Sequence, residues 1–128
     1  HYSELDSLKK IKNIKLEQFG GTCFIKNNPQ KKDFTQAKNG LKKLKKIIGS
    51  KKYNMVILDE ANVALRFQLI KLDDVLNLCR KIPKNTELIL TGRYAPKELF
   101  QTADLVSEIK ESKHYYKKGH AARKGIEY

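Results

Sequence analysis

Four consecutive bulky apolar residues, Met55-Val56-Ile57-Leu58, run directly into two acids, Asp59-Glu60. A short apolar run without alternation reads as a strand buried on both faces, the kind found inside parallel sheets. Open α/β sheets place their ligands at the carboxyl ends of strands, so Asp59 and Glu60 stand where a carboxylate can hold hydrated Mg²⁺ against nucleotide phosphates. The plainer alternative is an exposed strand end, with Glu60 opening the next helix. A second run, Glu87-Leu88-Ile89-Leu90, ends in Thr91-Gly92-Arg93. If the two strands are parallel neighbours, acids and arginine share one edge. Gly92 would then let the backbone approach a ligand, and Arg93 could meet phosphate in fork geometry. A surface arginine in a turn is commonplace, so the joint pattern rather than either motif favours a nucleotide site.

The segments around these runs change period. Phe34, Ala37, Leu41, Leu44 and Ile48 recur in steps of three and four and predict a helix from about Asp33, ended by Gly49-Ser50. Its remaining faces carry Lys38, Lys42, Lys43, Lys45 and Lys46, which a solvated surface explains. Leu72, Val75, Leu76 and Cys79 predict a second amphipathic helix with Asp73 and Asp74 in its first turn. Pro96 suits the start of a third, with Leu99 and Phe100 facing inward. A short helix within His1 to Lys10, a strand over Ile11 to Phe19 and a last strand over Asp104 to Ile109 complete the expected order. This alternation gives an α/β fold class, a mainly parallel sheet with crossover helices in a single domain over residues 1–128.

Composition narrows the partners. Lys plus Arg is 27 against 14 acids, a net charge of +13, which suits an anionic partner. The excess is mostly lysine without interleaved aromatics, so a base-stacking nucleic-acid module is disfavoured. Cys23 and Cys79 form no disulfide framework or zinc spacing. No apolar run approaches the roughly 18 residues of a membrane span, and no signal peptide opens the chain. A cytoplasmic protein is expected.

An ordered series of segments resembles the ATP:corrinoid adenosyltransferase family: Asp59-Glu60-Ala61-Asn62-Val63-Ala64-Leu65-Arg66, then Leu72-Asp73-Asp74-Val75, then Thr91-Gly92-Arg93-Tyr94-Ala95-Pro96-Lys97-Glu98-Leu99. Ala103 to Glu108, Lys113-His114 and the closing Arg123-Lys124-Gly125-Ile126-Glu127-Tyr128 continue it, and Tyr2-Ser3-Glu4-Leu5 is similar to a segment after that family's second strand. The resemblance implies a RecA-like P-loop NTPase fold. It also implies transfer of the 5′-deoxyadenosyl group from ATP to a Co(I) corrinoid, in which cobalt attacks the ribose C5′ and triphosphate leaves. Such chemistry needs positioning and charge stabilisation rather than acid–base groups, so no catalytic acid or base is expected.

The resemblance also assigns roles. Glu60 becomes the Mg²⁺ ligand, with Asp59, Gly92 and Arg93 on the nucleotide and its phosphates. Phe24 becomes the apolar wedge beside the corrin ring, and Asn62, Lys113 and His114 lie at the active-site edge. ATP, Mg²⁺ and a corrinoid are the implied ligands, a flavoprotein the implied reductant, and a homodimer the implied assembly. The family's glycine-rich loop ending in Gly-Lys-Thr has no counterpart here, because Gly20-Gly21-Thr22 lacks the lysine and the spacing. The expectation is therefore a family member without its N-terminal P-loop segment (strand, loop and helix), with weak ATP binding and no turnover. The alternatives are a basic nucleic-acid-binding module, which would show steep salt dependence, and a non-catalytic corrinoid- or nucleotide-binding relative.

Overall fold

Two β-strands, β1 (Met55–Leu58) and β2 (Glu87–Leu90), pair in parallel, with Met55 opposite Glu87 and Leu58 opposite Leu90. A parallel pair needs a crossover rather than a hairpin. Helices α3 (Ala61–Arg66) and α4 (Leu72–Lys81) supply it. The computed structural model describes residues 3–21 and 28–126. They fall into two compact units, residues 19–106 and, from the two ends of the chain, 1–18 with 107–128.

In the larger unit, α2 (Lys31–Ser50) forms because Ala37, Leu41, Leu44 and Ile48 lie on one side of it, and Leu44 and Ile48 are buried. The Asp33 carboxylate accepts a 2.8 Å hydrogen bond from the Gln30 backbone N–H at its start, satisfying a donor that helix geometry leaves free. Lys51 closes it in left-handed backbone (φ 54°). Helix α4 has Asp73 and Asp74 in its first turn and Arg80 and Lys81 in its last, matching the helix dipole at both ends. It stops at Ile82, whose extended backbone is the conformation favoured before Pro83.

Two apolar clusters hold this unit together. Leu44, Ile48 and Leu78 pack with Leu41, Val56, Leu58 and Ile82, joining α2 and α4 to β1. Val75, Leu76 and Leu99 pack with Leu65, Ile70, Leu72, Cys79 and Leu90, joining α4, α5 (Lys97–Thr102) and β2. Val75 is fully buried, a side chain whose removal from water contributes roughly 1.5–3 kcal/mol. The buried Thr86 hydroxyl donates to the Tyr53 carbonyl at 2.8 Å and the Glu87 N–H to the Asn54 carbonyl at 2.7 Å, fixing the register where the strands begin.

Sheet and core correct several expectations. The described residues are 44% helix and 7% strand, so the mainly parallel, RecA-like P-loop sheet with crossover helices is replaced by a mostly helical structure around a two-stranded pair. Ile11 to Phe19 forms no strand, since Ile11 and Ile14 donate to Leu8 and Ile11 in three-residue turns. Asp104 to Ile109 forms none either, and Leu105 and Ile109 are 84% and 98% exposed. Without those neighbours β1 is buried on one face only. Val56 and Leu58 meet the core, whereas Met55 and Ile57, like Ile89 of β2, are exposed. Phe34 and Phe100 are also exposed rather than inward-facing.

The smaller unit contains α1 (Ser3–Leu8) and a 3₁₀ turn at Tyr115–Lys118. The His114 ring Nδ1 accepts the Tyr116 N–H at 3.0 Å and caps that turn. Arg123 lies over the Tyr115 ring at 5.2 Å, and Lys117 pairs with Glu111, whose carboxyl this hydrogen bond holds below the usual carboxylate range. Among the described residues no helix is long and apolar enough to cross a membrane.

Candidate functional site

The carboxyl ends of β1 and β2 are tied together by one hydroxyl. Thr91 donates to the Asp59 Oδ1 at 2.6 Å and accepts the Glu60 N–H at 3.0 Å, while its own N–H continues the ladder to the Leu58 carbonyl at 3.1 Å. Asn62, buried at the start of α3, adds a second tie. Its N–H donates to the Thr91 carbonyl at 3.2 Å and its Nδ2 to the Gly92 carbonyl at 3.3 Å. The remaining oxygen of that carboxamide, Oδ1, is buried without a partner among the described residues.

This closeness explains the glycine. Gly92 has φ +116°, and a Cβ there would lie 3.1 Å from the Glu60 Oε2, 3.3 Å from the Glu60 Cα and 3.3 Å from the Asn62 Cβ. Only a residue without a side chain lets the two strand ends meet so closely. Glu60 itself holds left-handed backbone (φ 55°) as the residue capping α3, and Tyr94 does the same at φ 66°. Each costs on the order of 1 kcal/mol for an L-residue. Such strain, set beside exposed charged groups, is a pattern of functional sites.

Asp59, Glu60 and Gly92 thus meet at one exposed rim where the parallel strands end, and Arg93 is the next residue along the chain. The Arg93 guanidinium lies 5.8 Å from the centroid of the Tyr94 ring, and the Arg66 guanidinium, at the last residue of α3, lies 5.8 Å from the same centroid. The contacts of Thr91 with Asp59 and of Tyr94 with Arg66 leave no mark in the local sequence, because each joins residues far apart along the chain. Lys113 and His114 belong to the smaller unit, where His114 caps the 3₁₀ turn. Phe24 lies outside the described residues. Cys79 is half-buried against the core, where partial desolvation pushes its thiol above the ordinary range.

The rim brings together two carboxylates and, next along the chain from Gly92, one guanidinium. Among the described residues no group of three or more His, Cys, Asp or Glu could hold a metal, so the donors do not form a resident metal cage. Asp59 and Glu60 supply two adjacent exposed carboxylates, and Mg²⁺ in general keeps several waters and takes one or two carboxylates plus substrate phosphates. Hollows occur elsewhere: one at the opposite ends of β1 and β2, lined by Lys51, Tyr53, Lys81 and Thr86 among others, and one within the smaller unit beside Tyr115 and His120. Neither includes a residue of the rim.

Strand β1, the helical crossover and β2 form one parallel unit that carries Asp59, Glu60 and Arg93 just beyond its strand ends. Comparison with known proteins is more specific. The chain belongs to the ATP:corrinoid adenosyltransferase BtuR/CobO/CobP family, whose model matches residues 1–128. It is 36% identical over 98 residues to a corrinoid adenosyltransferase of Sinorhizobium sp, covering 76% of this chain and 46% of that protein. It is 31% identical over 99 residues to one from Pseudomonas aeruginosa (77% and 49%) and 30% identical over 84 residues to one from Escherichia coli K12 (66% and 43%). The chain therefore spans about half the length of the curated relatives it matches. The expectation of a family member set apart by lacking an N-terminal P-loop segment is corrected by the family match, which takes in every residue of the chain, the amino-terminal stretch included.

Proposed function

We propose that the rim formed by Asp59, Glu60, Gly92 and Arg93 binds the metal-bound triphosphate of ATP in adenosyl transfer to a Co(I) corrinoid. The observation that carries this reading is the Thr91 hydroxyl joining both strand ends in a chain of this family. In the reaction a cobalt–carbon bond forms to the ribose C5′, the C5′–oxygen bond breaks, and its electron pair leaves on the triphosphate. Charge on that leaving group is what the site has to stabilise. Mg²⁺, when bound, neutralises part of it. Glu60 is the residue that would hold the cation, with Asp59 orienting its water shell, and Arg93 faces the phosphates as a planar, permanently charged donor. Gly92 keeps the two strand ends in contact so that carboxylates and guanidinium act on one ligand.

We further propose a flavoprotein electron donor, a homodimer and a cytoplasmic location. The 128 residues contain no glycine-rich loop ending in Gly-Lys-Thr, a cradle of backbone amides for phosphates, so their affinity for ATP is expected to be weak. The test is ATP binding by the whole chain at low salt, with and without Mg²⁺, for the unaltered protein and Glu60→Gln. Mg²⁺ should strengthen binding several-fold in the former and not in the latter. Equal Mg²⁺ dependence in both would remove Glu60 from the role, and micromolar affinity would contradict the expected weakness.

A further inference from the structure

Two guanidiniums share one aromatic ring beside the carboxylate rim. Arg66 and Arg93 each lie 5.8 Å from the Tyr94 centroid, so their charged carbons are at most twice that distance apart. Among the described residues neither is ion-paired with a carboxylate. All three side chains are exposed, Tyr94 at 67%. Tyr94 occupies strained left-handed backbone, and its ring lies within reach of both an arginine that follows β2 and an arginine that ends α3. Ring faces attract guanidiniums but do not neutralise them. At low salt two like charges this near repel each other, and a multiply charged anion that meets both forks relieves the repulsion.

We infer that Arg66 is a second phosphate-binding arginine of this site and that Tyr94 is a positioning residue holding Arg66 and Arg93 in register for one polyphosphate. The inference rests on the functional reading above and adds to it: the resemblance assigns a role to Arg93, whereas the roles of Arg66 and Tyr94 come from the ring geometry. The ligand class is a linear polyphosphate, either the triphosphate of a nucleotide or the inorganic triphosphate left after transfer. Each charge-assisted contact is worth roughly three- to tenfold in affinity at an exposed position.

The probe is inorganic triphosphate, titrated into the whole 128-residue chain at low salt and followed by NMR shifts, with and without Mg²⁺. The unaltered chain is expected to bind, and Arg66→Gln and Arg93→Gln should each weaken binding about three- to tenfold. Tyr94→Phe should retain the affinity because the ring face remains, while Tyr94→Ala should lose as much as either arginine variant. Lys42→Gln on the exposed face of α2 removes the same charge elsewhere and should change little. Thermal unfolding of each variant reports whether the fold is intact. If Arg66→Gln binds as the unaltered chain does while Arg93→Gln is weakened, the inference fails and the functional reading stands. If Lys42→Gln weakens binding as much as Arg66→Gln, only net charge is at work and the inference fails. If both arginine variants are weakened but neither Mg²⁺ nor Glu60→Gln alters binding, the arginine pair stands and the metal-bound reading fails. Absence of triphosphate binding by the unaltered chain overturns both.

Discussion

Replacing Gly92 by Ala is the sharpest perturbation of the strand-end junction. Two costs add. A φ of +116° is a backbone conformation that L-residues rarely adopt, worth about 1–3 kcal/mol. The new methyl would also sit 3.1 Å from the Glu60 Oε2 and 3.3 Å from the Glu60 Cα. The carboxylate can swing away, but the Cα belongs to backbone already strained at φ 55°, so the junction must open by a few tenths of an ångström. Together these effects should cost about 2–4 kcal/mol, a large part of an ordinary domain's stability, and lower Tm by about 10 °C. Gly49→Ala supplies the contrast. That glycine lies in α2 with nothing within 4 Å of its added Cβ, so the same change should stabilise by about 0.5 kcal/mol. Thermal and urea unfolding followed by circular dichroism measures both. If Gly92→Ala is as stable as the unaltered protein to within about 0.5 kcal/mol, the junction is not held as described and the glycine has another purpose.

Further predictions concern the hydroxyl tie and the half-buried thiol. Thr91→Val keeps the shape of the side chain but removes the bonds to Asp59 and Glu60. It should destabilise by about 1–2 kcal/mol and weaken Mg²⁺-dependent ATP binding, whereas Thr91→Ser should largely restore both; equal loss in the two variants would point to packing of the methyl group instead. Cys79, with its thiol pushed up by burial, should react with iodoacetamide more slowly than the unfolded chain at the same pH. Its folded form favours the protonated thiol, so the contribution to stability is complete below the ordinary thiol range and is lost as pH rises toward the raised value. A Cys79→Ala variant should lose that alkaline component of the unfolding profile, and an unchanged profile would assign it to other groups.

The parts of the fold visible in the sequence are those whose signal is local. Leu72, Val75, Leu76 and Cys79 share a cluster on α4, and Ala37, Leu41, Leu44 and Ile48 line the inner side of α2. The runs at Met55–Leu58 and Glu87–Leu90 are the strands. Alternation over Ile11 to Phe19 misleads because a strand needs a neighbour to take its backbone hydrogen bonds, and here the chain turns back on itself instead. Burial of Met55 and Ile57 likewise depends on a layer that the two-stranded pair does not possess. Within the site, Asp59, Glu60 and Arg93 are legible from their position just beyond apolar runs. The Thr91 tie and the Asn62 latch join residues 32 and 30 positions apart, and no local pattern records such a meeting. Tyr94 carries no sequence mark of its strained backbone either, since left-handed positions more often hold Gly, Asn or Asp.

The central claim is that a metal-bound triphosphate sits on the rim where β1 and β2 end. Mn²⁺, which shares the oxygen preference of Mg²⁺ and broadens nearby NMR signals, tests it directly when added at trace level with triphosphate to the whole chain. Broadening confined to Asp59–Asn62 and Thr91–Tyr94, and abolished by Glu60→Gln, is the predicted result. Broadening centred instead on the hollow beside Lys51, Lys81 and Thr86, or unaffected by Glu60→Gln, would contradict it.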